Sequence, residues 1–260
     1  MNAGNKTSTG PRQHVELFHL LFLDQLGRKT DKQAWVLKGG CNLRFFFHSV
    51  RYSADLDFDV GNLAGHVLRD RVNGILASRP FRDILAVHAI AIEHVTEAKQ
   101  TATTQRWKLG LRTPAGAWPL PTKIEFSRRE ARRDGVAFGP VAAGLIREYA
   151  LAPIWAVHYD AAAACRQKLH ALLSRSAVQA RDVFDLHLLL PHVPAGSAWT
   201  PPKQVSLAQV EAKALSIGFG VFKSQVLSYL PADLQSRYDA AEVWETMVLE
   251  TLERLKGMLP

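Results

Sequence analysis

The segment Trp35–Asp59 constrains this chain more than any other. It reads as an apolar strand, a diglycine turn at Gly39 and Gly40, a short helix, and a second strand of alternating carboxylates, Asp55, Asp57 and Asp59. Side chains two positions apart on a strand share a face, so Asp55 and Asp57 project side by side. Carboxylates held that close repel one another unless a divalent cation sits among them. The glycines let the backbone approach a ligand closely, and the helix that follows aims unpaired N–H groups at it. A phosphate-binding turn beside a carboxylate metal site is what phosphoryl or nucleotidyl transfer requires. Asp59 shares the face but lies beyond the expected site.

The rest of the chain supplies a scaffold of two characters. His14–Leu26 has helical apolar spacing, with Gly27 placed to end the helix. Ala34–Leu37 and Leu56–Val60 read as strands, and Asn62–Ser78 as an amphipathic helix. Ile84–Glu93 and Gln105–Arg112 read as β-rich stretches separated by a polar linker. Thr113–Pro121 is a turn region, and Thr122–Ser127 alternates as a further strand. Beyond it, Ala161–Leu190 is helical with an interruption around Ser174–Gln179. Pro191–Lys203 is a proline-rich loop, and Val205–Met258 is helical with a break at Pro231. The fold class expected is α+β: a polar tail over 1–12, disordered, a mixed α/β core over 13–150, and a helical domain over 151–260.

Charge narrows the partners without deciding them. The formal net charge of +8 favours polyanions. No apolar run is long enough for a membrane span, and the N-terminus lacks the apolar centre of a signal peptide. The two cysteines, Cys41 and Cys165, form no metal-ligand or disulfide framework. The simplest expectation is a cytoplasmic protein with reduced thiols and no membrane partner.

A third carboxylate is expected from a neighbouring strand, and Glu125 is the acid in the alternating stretch TKIEFS. That alternation puts Lys123 on the same face, so a Lys–Glu surface pair is the plain alternative. Ser53 and Arg51 precede the carboxylates and suit phosphate contacts, or else form a solvated strand edge. Arg128, Arg129, Arg132 and Arg133 form a basic cluster that could track an RNA backbone or simply face water.

The residues Leu37-Lys38-Gly39-Gly40, then Arg51-Tyr52-Ser53-Ala54-Asp55-Leu56-Asp57-Phe58, resemble the AbiEii/AbiGii family of nucleotidyltransferase-like toxins. These MenT-like proteins belong to type IV toxin–antitoxin and abortive-infection systems. The TKIEFSRR stretch, the segment Lys168–Arg175, and Arg181–Leu186 are similar to the family as well, so the resemblance spans about residues 15–190. It implies a polymerase-β-like nucleotidyltransferase core followed by a helical C-terminal domain. It also implies Mg²⁺ (with Mn²⁺ as a substitute) and an NTP substrate. The acceptor implied is RNA, the 3′ end of tRNA, so that translation stops, and a cognate antitoxin is encoded nearby.

Carried over residue by residue, the resemblance makes Asp55, Asp57 and Glu125 the metal ligands. Lys108 becomes the lysine facing the triphosphate, with Arg106 and Arg112 as neighbours on its face. Lys38, Gly39, Gly40, Cys41, Ser53 and Arg51 join the nucleotide site. Lys168, Arg175, Asp182 and Asp185 join it from the helical half, or else form a buried salt-bridge network. Nucleotidyltransferases usually carry Ser or Thr at the position of Cys41, a weaker donor here; Asn42 beside it is a further candidate donor. Other readings keep the same site for nucleotidylation or phosphorylation of a protein, or make the chain a non-catalytic NTP-binding module.

Overall fold

The computed structural model describes residues 10–128, 134–194 and 205–258. The tail over 1–9, Arg129, Arg132 and Arg133, and most of the proline-rich loop lie outside these residues. In chain order the elements are α1 (Pro11–Lys29), β1 (Trp35–Lys38), α2 (Gly39–Phe46), β2 (Asp55–Val60), α3 (Gly65–Ala77) and α4 (Arg79–Val87). Next come β3 (Ala91–Gln100), β4 (Thr104–Arg112), β5 (Leu120–Ser127), β6 (Val136–Pro140), α5 (Ala143–Glu148) and β7 (Trp155–Tyr159). The helical half comprises α6 (Ala161–Ser174), α7 (Ala180–Leu189), α8 (Leu207–Leu215), α9 (Phe219–Gln225), α10 (Ala232–Tyr238) and α11 (Ala241–Lys256).

Among the described residues the strands form one mixed sheet in the order β3-β4-β5-β2-β1-β7-β6. β2 runs antiparallel to β1 and parallel to β5, and β4 is antiparallel to β5. One face of the four central strands is apolar because every second residue is. Trp35, Phe58, Phe126 and Trp107 lie there at 0–1% exposure. Their rings touch in sequence across the strands, at centroid separations of 5.4 Å (Trp35–Phe58), 4.8 Å (Phe58–Phe126) and 5.9 Å (Trp107–Phe126). Phe58 and Phe126 are direct register partners, and the tryptophans reach them as diagonal neighbours. α1, α3 and α4 join this core, with Phe18 and Phe22 of α1 meeting Phe81 of α4.

Several expectations are corrected. Gly27 does not end α1; the helix continues to Lys29 and is capped at Thr30, whose N–H and hydroxyl both donate to the Leu26 carbonyl. The helix also begins at Pro11, inside the stretch expected to be tail. Of the β-rich stretch expected at Ile84–Glu93, residues 84–87 belong instead to the helix α4 over 79–87, and 91–93 are strand. Pro80 sits in the first turn of α4, where a missing N–H costs nothing, and Phe81 and Leu85 bury one face. The polar linker expected between Glu93 and Gln105 is for most of its length part of the edge strand β3, whose charged side chains suit an exposed sheet edge. β7 pairs with β1 at residues 155–159, on the far side of the expected division at 150.

A second core fills the helical half, where Phe184, Phe222 and Trp244 pack together. Leu43 of α2 belongs to that cluster, so the helix after the diglycine turn is shared between the two halves. No helix among the described residues is long and apolar enough to cross a membrane.

Phe126→Ala removes the ring at the centre of the aromatic row and is expected to cost about 3–5 kcal/mol. A fall in the urea midpoint at unchanged slope would record it, and a cost under about 1 kcal/mol would contradict this packing.

Candidate active site

The diglycine turn is built for close approach. Lys38 is extended and caps α2, and Gly39 takes φ +69°, a conformation that a side chain resists. A Cβ at Gly39 would lie 3.1 Å from Asp57 Oδ2, and one at Gly40 only 2.7 Å from Ser53 Oγ. No acid occupies the first turn of α2, whose leading N–H groups have no intrahelical acceptor.

The acids come together through strand register. Asp57 of β2 is the direct partner of Glu125 of β5, and Asp55 is the partner of Lys123. Lys123 Nζ stands 3.0 Å from Asp55, 3.9 Å from Asp57 and 3.6 Å from Glu125. Arg106, across the β4–β5 pair, donates to Glu125 at 2.6 Å. Burial raises the Asp57 carboxyl above its ordinary range; Asp55 and Glu125 push the same way, and Lys123 pulls against them. Burial also pushes Glu125 up, but Arg106 and Lys123 outweigh it and hold that carboxyl below its usual value. Asp59 stands apart: Lys38 pairs with it, and Tyr159 donates to it at 2.8 Å.

Three carboxylates from two paired strands suit a hard divalent ion, which takes all-oxygen ligands. Among the described residues no three potential ligands converge tightly enough to hold a metal as they stand. The position the three acids share is taken by the Lys123 ammonium, so the donor set fits a cation and already surrounds one.

Behind the turn the chemistry differs from expectation. The Cys41 thiol is 1% exposed and points inward, donating to the Asp55 carbonyl at 3.2 Å. Ser53 Oγ donates to the same carbonyl at 2.8 Å, from the loop before β2 rather than from a strand. Burial drives the Cys41 thiol well above its ordinary value, so it stays protonated. Cys41 therefore pins the strand that carries the acids, and only its backbone N–H faces the turn. Asn42 is likewise turned away, donating to the Tyr159 carbonyl at 3.0 Å. Beneath Cys41 lies His19, whose Nδ1 is 3.5 Å from the sulfur and whose Nε2 is 2.7 Å from Thr122 Oγ1. Thr122 donates to the Ala54 carbonyl at 2.9 Å, so it accepts from Nε2–H of a neutral His19. Burial lowers the His19 pKa to about 3.

In the helical half, Asp182 and Asp185 of α7 are fully buried. Lys168 pairs with both, at 3.2 and 2.6 Å, and Arg175 lies 3.1 Å from Asp182. Arg51 donates to both oxygens of Asp185, at 3.1 and 2.9 Å from Nη2. Burial raises the Asp185 carboxyl, but Arg51 and Lys168 outweigh it and hold it below the usual range. Arg51, expected at a phosphate or a wet strand edge, is thus a buried tie between the halves. Its Nη2 lies 3.4 Å from where a Gly40 Cβ would be. The main-chain bond from Tyr52 N–H to the Tyr229 carbonyl, 2.9 Å, anchors the same loop.

Of the three basic residues on β4, Arg106 is the one in contact with an acid of the site. Arg112 pairs with Glu93 on β3. Lys108 is exposed and stands opposite Lys123 in the register. Arg128 folds back onto Gln105 and the Leu63 carbonyl rather than outward. Reading the sequence missed the centrality of Lys123, although its alternation with Glu125 was visible. It also missed His19 and Thr122, for which no local signal exists.

The family description "Nucleotidyl transferase AbiEii toxin, Type IV TA system" matches residues 21–215, three quarters of the chain. No curated protein matches it. Among solved structures, MenT4, a nucleotidyltransferase toxin from Mycobacterium tuberculosis H37Rv, superposes with a TM-score of 0.58 at 18% identity, over 95% of this chain and 84% of that one. JHP933 from Helicobacter pylori gives 0.53 at 19% identity, over 95% and 94%. Another H. pylori structure gives 0.57 at 19% identity, over 95% and 96%. At these identities the structural likeness establishes the fold.

Asp185→Ala leaves Arg51 and Lys168 buried without their shared partner and is expected to cost about 3–5 kcal/mol, read by chemical denaturation. The His19 imidazole titrates near 6.5 when unfolded and near 3 when folded. Between those values only the unfolded chain takes up its proton, so stability falls with falling pH by up to about 1.4 kcal/mol per unit. In His19→Gln the slope of stability against pH over that window should drop by one proton, whatever the variant's absolute stability.

Proposed function

We propose that this chain, which belongs to the AbiEii nucleotidyltransferase toxin family of type IV toxin–antitoxin systems, transfers a nucleotide from an NTP to the 3′ end of tRNA and so blocks translation. The observation that carries the reading is the register of β2 and β5, which puts Asp55, Asp57 and Glu125 on one face of the sheet around Lys123, beside the N-terminus of α2. Membership of the family makes the chain a nucleotidyltransferase with an NTP substrate and implies an antitoxin partner. RNA as acceptor draws support from the net charge of +8. A cytoplasmic location follows from that acceptor.

Asp55, Asp57 and Glu125 would hold Mg²⁺, or Mn²⁺ in its place, which when bound neutralises charge on the triphosphate and the leaving pyrophosphate. Gly39 and Gly40 let the triphosphate meet the first-turn N–H groups of α2. Glu125, whose carboxyl the Arg106 hydrogen bond draws below its usual range, accepts the proton of the attacking hydroxyl. The hydroxyl oxygen bonds to the α-phosphorus as the bond to the β-phosphate oxygen breaks and pyrophosphate leaves. Lys108, exposed on the same face, meets the triphosphate as a point charge. Arg51, Asp182, Asp185, Lys168 and Arg175 serve by fixing the loop before β2 against the helical half. Lys168 and Arg175 remain the members of that group with an open edge, at 13% and 35% side-chain exposure.

Incubation with Mg²⁺, each α-³²P-labelled NTP in turn and total tRNA tests this. Label is expected in tRNA and should fall on the order of 10²-fold or more in Asp55→Ala. Label confined to protein would move the acceptor to a polypeptide, and label nowhere would overturn the transfer itself.

A further inference from the structure

The three acids of the site do not face water alone; they close around a lysine of the same chain. Lys123 projects from β5 on the face of Glu125 and reaches across to both aspartates of β2. An ordinary surface pair would join one acid to one base at the rim, whereas this side chain is 24% exposed and its ammonium lies within 4 Å of acids on two strands. Its other register neighbour, on β4, is Lys108. Like charges directly opposite on paired strands are unfavourable, so the acids are what make Lys123 tolerable where it stands.

The same arithmetic governs the acids. Lys38 pairs with Asp59 and reaches Asp57 and Glu125 only as a lesser influence, so Lys123 and Arg106 are the cations in contact with Asp55, Asp57 and Glu125. A divalent ion and an ammonium cannot both sit within about 4 Å of the same carboxylates without strong mutual repulsion. Lysine, with a flexible four-carbon stem and a point charge, is suited to leave when the ion arrives.

We propose that Lys123 is an internal cation that holds the three carboxylates together in the metal-free protein, competes with the divalent ion for them, and is released on metal entry toward the incoming triphosphate. The proposal rests on the reading of Asp55, Asp57 and Glu125 as metal ligands. It makes Lys123 a positioning residue that couples metal loading to the delivery of positive charge. Once released, it stands beside Lys108, and the pair, no longer offset by the acids, favours an anion on that face.

Metal binding without NTP tests this apart from catalysis. Mn²⁺ titration followed by electron paramagnetic resonance should show Lys123→Met binding about tenfold more tightly than the wild type. Lys123→Arg, which keeps the charge, should stay close to the wild type. Lys32→Met, an equal change of net charge on a distant surface, should shift affinity by less than about twofold because exposed charges beyond a Debye length are screened. Equal affinity in wild type and Lys123→Met would overturn the proposal while leaving the metal reading intact. Binding in neither protein would overturn both.

A second measurement uses only the wild type and so survives a variant that fails to fold. Acylation of Lys123 by an N-hydroxysuccinimide ester, read by mass spectrometry, should speed up several-fold when Mg²⁺ is added, because the ammonium is freed from its carboxylates. An unchanged or slower rate would overturn the proposal.

Discussion

The parallel pairing of β2 with β5 is the constraint on which the rest depends. On one face it stacks Phe58 on Phe126 at 4.8 Å, inside a row of rings that spans four strands. On the other it sets Asp57 against Glu125 and Asp55 against Lys123. A slip of one residue would bury the carboxylates and expose the rings, so the apolar face enforces the register of the polar one. The stability of the core and the geometry of the chemistry are two sides of one pairing.

That pairing alone would leave the start of β2 loose, since Asp55 is its first residue. Cys41 and Ser53 both donate to the Asp55 carbonyl, and Thr122 holds the Ala54 carbonyl with His19 behind it. From the other side, Arg51 and Tyr52 tie the preceding loop to Asp185 and Tyr229 in the helical half. The helical half thus acts on the site mechanically: it clamps the loop that sets where the first acid begins. A buried network of this kind adds little net stability by itself, but each member is costly to lose alone.

Electrostatically the site is a concentration of negative charge relieved by its own cations. Lys123 and Arg106 lie on the acids, Lys38 lies on Asp59, and Lys108 waits opposite. Such an arrangement offsets the acids with cations of the same chain.

Local pattern was enough to determine the strands around the diglycine turn, the shared face of Asp55 and Asp57, the strand bearing Glu125, and the helical second half. Each of these depends on a period of two or of 3.6, or on glycine, and those signals are carried by neighbours in the chain. The pattern failed at 84–87, which end a proline-started helix, and at 94–100, where a charged edge strand mimics a linker. Tertiary structure alone decided the rest: that Arg51 is a buried tie to Asp185, that the Cys41 thiol faces inward, that His19 lies beneath the turn, and that Lys123 sits among the acids. Those facts concern residues brought together from as far as 134 positions apart, as Arg51 and Asp185 are. Which charge a buried side chain finds is settled by packing in three dimensions, and no local period encodes it.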